Sequence, residues 1–80
     1  MKLPRDVSGD ELARRLRGYG CEVTRRSGSR LRLTSRLKGE HHVTIPAHAA
    51  LRVGTLNSIL TDVAAHFERD KAEVMRKLFG

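Results

Sequence analysis

The eighty-residue chain has one cysteine, no tryptophan, and only Tyr19, Phe67 and Phe79 as aromatics. A single thiol, Cys21, forbids an internal disulfide and agrees with a reducing compartment. Its place at the start of a strand suits a buried, inert side chain. Scarce aromatics argue against a sheet that stacks bases on its surface. No apolar run is long enough to span a bilayer, and the start MKLPRDVSGD lacks the apolar centre of a signal peptide. A cytoplasmic protein is therefore expected. Acidic residues are nearly missing from the middle: residues 14–52 hold ten Lys and Arg against Glu22 and Glu40, a local +8 within a formal net charge of +7. Positive charge gathered in one part of a small domain points to an anionic partner.

What is present reads as one compact domain spanning residues 1–80, small enough that folding buries only about 60% of the unfolded surface. Ser8-Gly9-Asp10-Glu11 fits a capping box, with Ser8 accepting from the Glu11 N–H and Glu11 reaching back; Val7 and Leu12 suit the accompanying staple. Leu12, Leu16 and Tyr19 recur at helical spacing, and Gly20 supplies the left-handed stop. The period then changes to two. Cys21, Val23 and Arg25 alternate with Glu22, Thr24 and Arg26; Ser27-Gly28-Ser29 makes a turn; Leu31 and Leu33 alternate with Arg30, Arg32 and Thr34. After a loose segment, His41 to Pro46 reads as a third strand stopped by proline.

Following an irregular piece from Ala47 to Gly54, Thr55 is expected to cap a second helix. Leu56, Ile59, Leu60, Val63, Ala64 and Phe67 form its apolar stripe. The tail, residues 65–80, keeps helical pattern and charge pairs, either as an extension of that helix or as a third one. The fold class is α+β: an α-β-β-β-α order with a three-stranded antiparallel sheet and helices on one face. Leu31, Leu33, Val43 and Ile45 should look toward the helices. Arg30, Arg32, Thr34, His42 and Thr44 should look away, with Arg26 or its neighbour beside them.

In order and spacing, these pieces resemble the HicA toxin family of small mRNA interferases. Leu3-Pro4 and Ser8-Gly9 resemble its opening, Gly20-Cys21-Glu22-Val23 its first helix end and first strand, and Gly28-Ser29-Arg30-Leu31-Arg32-Leu33 its turn and second strand. Val43-Thr44-Ile45-Pro46-Ala47-His48 resembles its third strand, and Gly54-Thr55-Leu56 with Ser58-Ile59-Leu60 its second helix. The likeness runs from residue 3 to about 63. It implies a double-stranded-RNA-binding-domain-like fold, metal-independent mRNA endoribonuclease activity without a cofactor, and a HicB-like antitoxin as protein partner. At the turn the family has Gly-Ser-His, whose histidine is catalytic; here that position is Arg30. The family also breaks its last long helix with a glycine where this chain has Ala64.

Metal-independent cleavage uses the RNA's own 2′-hydroxyl as nucleophile and requires a base for its proton, a donor for the leaving oxygen and cations for the phosphorane. Arginine stays protonated, so Arg30 can hold a phosphate but cannot act as that base. Four readings follow: the chemistry has moved to another histidine, the chain is an inactive RNA-binding relative, the substitution attenuates a toxin, or Arg30 is an ordinary solvated arginine.

His42 shares Arg30's strand parity, and His48 matches a family position after Pro46, so both are catalytic candidates. His41 should pack at the core edge, and His66 carries no assigned role. Arg25, Arg26, Arg32, Arg36 and Lys38, with the turn residues Gly28 and Ser29, are the candidate RNA-backbone contacts. Adjacent His41 and His42 point opposite ways on a strand, so no metal ligand set assembles from them. A non-catalytic RNA-binding module is the alternative function, and a basic protein-interaction domain a third.

Overall fold

A computed structural model describes residues 6–80, so Leu3-Pro4 lies outside the described residues. Helix α1 spans Gly9–Arg15, and Ser8 Oγ accepts from the Glu11 N–H at 3.0 Å. Only that half of the capping box forms: the Glu11 carboxylate turns forward to Arg15 Nε at 3.2 Å instead of back to Ser8. The next four residues, Leu16–Tyr19, tighten into a 3₁₀ turn, and Gly20 closes it with φ 75°. Leu12, Leu16 and Tyr19 are all buried, as their spacing predicts.

Strands β1 (Glu22–Ser27), β2 (Arg30–Ser35) and β3 (His41–Pro46) form an antiparallel sheet in the order β1-β2-β3. Gly28 adopts φ 57° at the first position of the two-residue β1–β2 loop, a conformation that a side chain resists. Leu31, Leu33 and Ile45 are fully buried and Val43 nearly so. Helix α2 (Val53–His66) lays Leu56, Ile59, Leu60, Val63 and Ala64 over the same core. The result is the α-β-β-β-α order of a double-stranded-RNA-binding-domain-like fold, with a third helix added.

One expectation about helix boundaries is corrected, and one alternative left open by the sequence is decided. Helix α2 begins two residues before the expected cap: Arg52 occupies the capping position with no side-chain bond, and Thr55 lies inside the first turn. The tail is a separate helix, α3 (Lys71–Phe79). No glycine makes the break. Glu68 takes φ 54° directly after α2, where the Arg69 N–H returns to the Ala64 carbonyl at 2.9 Å. Val74, Met75 and Leu78 then dock α3 onto the core, and Arg15 Nη1 donates to the Leu78 carbonyl at 2.7 Å.

The start of α1 abuts the end of β3. The Gly9 N–H donates to the His48 carbonyl at 3.0 Å, and any Cβ on Gly9 would run into the Pro46 carbonyl oxygen. This close approach ties the first helix to the loop that follows β3.

Candidate nucleic-acid interface

On the sheet face turned away from the helices, the register sets three cross-strand rows. Ser27, Arg30 and Pro46 form the first, and Arg25, Arg32 and Thr44 the second. Glu22, Thr34 and His42 form the third. Simple alternation along β1 puts Arg25 on the side of Cys21 and Val23. The ladder instead skips Thr24, which is a β-bulge between Val23 and Arg25. Beyond the bulge the parity is reversed. Arg25 joins Arg32 on the outer face, while Arg26 pairs with Leu31 on the helix side and reaches Asp10 Oδ1 of α1 at 2.9 Å. The neighbour, not Arg26, therefore completes the arginine layer. Among the described residues, no ion pair engages Arg25, Arg30, Arg32 or Arg36, and all four are exposed.

The third row carries a hydrogen-bond chain. Glu40 Oε1 lies 3.4 Å from His42 Nε2, and His42 Nδ1 lies 2.9 Å from Thr34 Oγ1. Thr34 Oγ1 lies 2.9 Å from Thr24 Oγ1, which can also donate to the Arg32 carbonyl at 3.4 Å. Both protonation states of the imidazole are accommodated. When it is neutral, Nε2 carries the proton and faces Glu40, and the hydroxyl protons run from Thr24 to Thr34 to Nδ1. When it is charged, Nδ1–H donates to Thr34 and the direction reverses, ending on the Arg32 carbonyl. Capped by Thr24 and His42, Thr34 is buried although it faces outward. Arg36 stands near this chain, lining a cavity of about 270 Å³ with Gly20, Glu22, Thr24, Thr34 and Leu37.

Arg30 occupies the far end of the face. It lines a cavity of about 380 Å³ with Thr44 and Pro46 of β3 and Thr55, Ser58 and Ile59 of α2. His42 pairs with Thr34, four residues along β2 from Arg30. At about 3.3 Å per residue this separates the two by about 13 Å, too far to act on one phosphate. His48 is exposed in the loop after β3. The Ala47 N–H donates to the Ser29 carbonyl at 2.7 Å, which draws that loop against the Gly28-Ser29 turn beside Arg30. Gly28 itself faces open space. Lys38 lies elsewhere: its Nζ is 2.7 Å from Glu68 Oε2, at the α2–α3 break.

His41 packs at the core edge, as expected, with Nε2 at 2.9 Å from Asp62 Oδ2. His66, assigned no role by sequence, stacks on it at 4.2 Å between ring centroids and contacts the Leu37 carbonyl through Nε2 at 3.2 Å. Sequence reasoning also passed over Glu40 and the hydroxyls of Thr55 and Ser58. Glu40 was legible, since it shares His42's parity two residues away; the α2 hydroxyls meet Arg30 only through the tertiary fold.

A family model described as "HicA toxin of bacterial toxin-antitoxin" matches residues 9–65, which span α1, the whole sheet and nearly all of α2. No curated protein and no solved structure matches the chain. The matched segment takes in Arg30, His42, His48 and every residue lining the Arg30 cavity. By this match over well over half its length, the chain belongs to the HicA family, the toxins of bacterial toxin–antitoxin systems.

Proposed function

We propose that this toxin acts on mRNA as a metal-independent endoribonuclease whose cleavage is attenuated, and that a HicB-like antitoxin neutralises it by covering the arginine face. The observation that supports this reading most is Arg30: it is exposed, unpaired among the described residues, and stands where the family has its catalytic histidine. Arg25, Arg30, Arg32 and Arg36 hold backbone phosphates, which supplies affinity without base specificity.

In the cleavage step the 2′-oxygen attacks the adjacent phosphorus, its proton passes to a base, and the 5′-oxygen leaves with a proton from water. Arg30, about 13 Å along the face from His42, holds a neighbouring phosphate of the same strand and exchanges no proton. His42 is the imidazole on this face with a carboxylate partner, and it stands as the substitute base. Its accepting nitrogen is engaged by Thr34, so a 2′-hydroxyl displaces that hydroxyl or passes its proton through it.

The test is cleavage of single-stranded RNA in EDTA by the purified chain and by Arg30→His and His42→Ala. Slow cutting by the native chain is expected, faster cutting by about 10²-fold or more on restoring histidine at position 30, and loss on removing His42. The separation of about 13 Å between Arg30 and His42 favours a second reading, a non-catalytic RNA-binding module. That reading wins if neither the native chain nor Arg30→His cuts RNA while both bind it in a salt-dependent way.

A further inference from the structure

The cavity beside Arg30 has a lining that phosphate affinity alone does not explain. Its volume, about 380 Å³, falls at the small end of ligand pockets, which begin near about 300 Å³. One guanidinium, three hydroxyls and two apolar side chains meet there from three elements. Thr55, Ser58 and Ile59 sit at i, i+3 and i+4 on α2, hence on one face of that helix. Thr44 and Pro46 share β3's outward parity and lie across the ladder from Arg32 and Arg30. Among the described residues, no side-chain hydrogen bond engages Thr44, Thr55 or Ser58, and Thr44 and Ser58 are exposed.

We infer that this cavity is a ribose-reading subsite: Arg30 holds a phosphodiester of an RNA strand, and the three hydroxyls hydrogen-bond the adjoining ribose 2′-hydroxyl. This rests on the RNA-binding reading above and adds the feature of RNA that is recognised. A guanidinium forms paired bonds to phosphate oxygens. A ribose 2′-hydroxyl both donates and accepts, as do the side chains of Thr44, Thr55 and Ser58. Pro46 and Ile59 offer apolar surface to the sugar ring. No aromatic lines the cavity, so a stacked base is not its occupant. Because β3 is an outer strand of the sheet, the bound strand crosses the sheet edge there toward α2.

The experiment measures fluorescence-anisotropy affinities at low salt for one single-stranded 12-mer made as RNA and as DNA, with RNA integrity checked on gels. The native chain is expected to prefer RNA. Thr55→Val with Ser58→Ala lowers RNA affinity about tenfold and leaves DNA affinity within twofold, whereas Arg30→Ala weakens both. Ser58→Ala alone changes an exposed side chain and shows a smaller loss in the same direction, independent of any folding defect in the double variant. Equal native affinity for RNA and DNA, or equal RNA affinity in native chain and double variant, overturns the subsite and leaves RNA binding standing. Failure of the native chain to bind either oligonucleotide overturns both.

Discussion

Thr34 Oγ1 lies 2.9 Å from Nδ1 of His42, directly across the β2–β3 ladder. With Glu40 on the other ring nitrogen, this contact fixes the orientation of an exposed imidazole on the arginine face. The two threonine hydroxyls and the imidazole make a hydrogen-bonded run with the Glu40 carboxylate beside its far end.

The neutral imidazole of His42 should carry its proton on Nε2, toward Glu40. Nitrogen-15 shifts of the ring at high pH report this directly, and a proton found on Nδ1 would contradict the chain as drawn. Thr34→Val removes the central hydroxyl at a cost of about 1 kcal/mol, read from urea unfolding, and moves the Nδ1 resonance.

Arg25 and Arg26 are adjacent yet should behave differently toward RNA. Arg25→Ala and Arg32→Ala should each lower the slope of log affinity against log salt by about 1. Arg26→Ala should leave that slope nearly unchanged, since its guanidinium is turned to Asp10 on the helix side. Equal slopes for the Arg25 and Arg26 variants would mean that the bulge does not sort them.

Two glycine replacements should have opposite signs. Gly9→Ala places a methyl against the Pro46 carbonyl, backbone that cannot swing aside, and should destabilise by about 1–3 kcal/mol despite alanine's better helix propensity. Gly54→Ala meets open space in the first turn of α2 and should stabilise by up to about 1 kcal/mol. Chemical denaturation of both variants decides the matter; a stabilised Gly9→Ala would show that α1 does not press on β3.

Stability should fall as pH rises above about 9. Burial pushes the Cys21 thiol above its usual 9.0, against a smaller opposing pull from its bond with Ser35. Burial also raises the Tyr19 phenol above 10.0, with Glu73 adding to the rise and Arg69 opposing it. In this range the unfolded chain releases protons that the folded chain retains, so alkali favours unfolding. Urea midpoints at pH 8, 9 and 10 should decline, and Cys21→Ala should flatten the first part of that decline. A midpoint that rises with pH would reverse the argument.

The legible features were those written in short-range pattern. Ser8 and Gly20 bracket the first helix, and the period of two in Leu31, Leu33, Val43 and Ile45 assigned the sheet faces correctly. What escaped prediction depended on a single backbone choice. Thr24-Arg25-Arg26 fits either parity until the β1–β2 ladder selects a bulge. Val53 and Gly54 begin α2 without a capping side chain, so local pattern points instead to Thr55 as the start. Glu68 adopts a left-handed conformation that composition assigns to glycine, so pattern alone leaves an extended α2 and a separate α3 both open. The Arg30 cavity draws on residues from three elements and has no local signature.

The extra residue in β1 also gives this surface an unusual kind of mutability. Losing the one codon for Thr24 would let β1 alternate without interruption and would still leave Arg25 opposite Arg32 and Arg26 opposite Leu31, so only the hydroxyl beyond Thr34 would be lost. The layout of cationic groups offered to a polyanion is anchored from the hairpin's tight end, and it tolerates a change of strand length beyond the bulge.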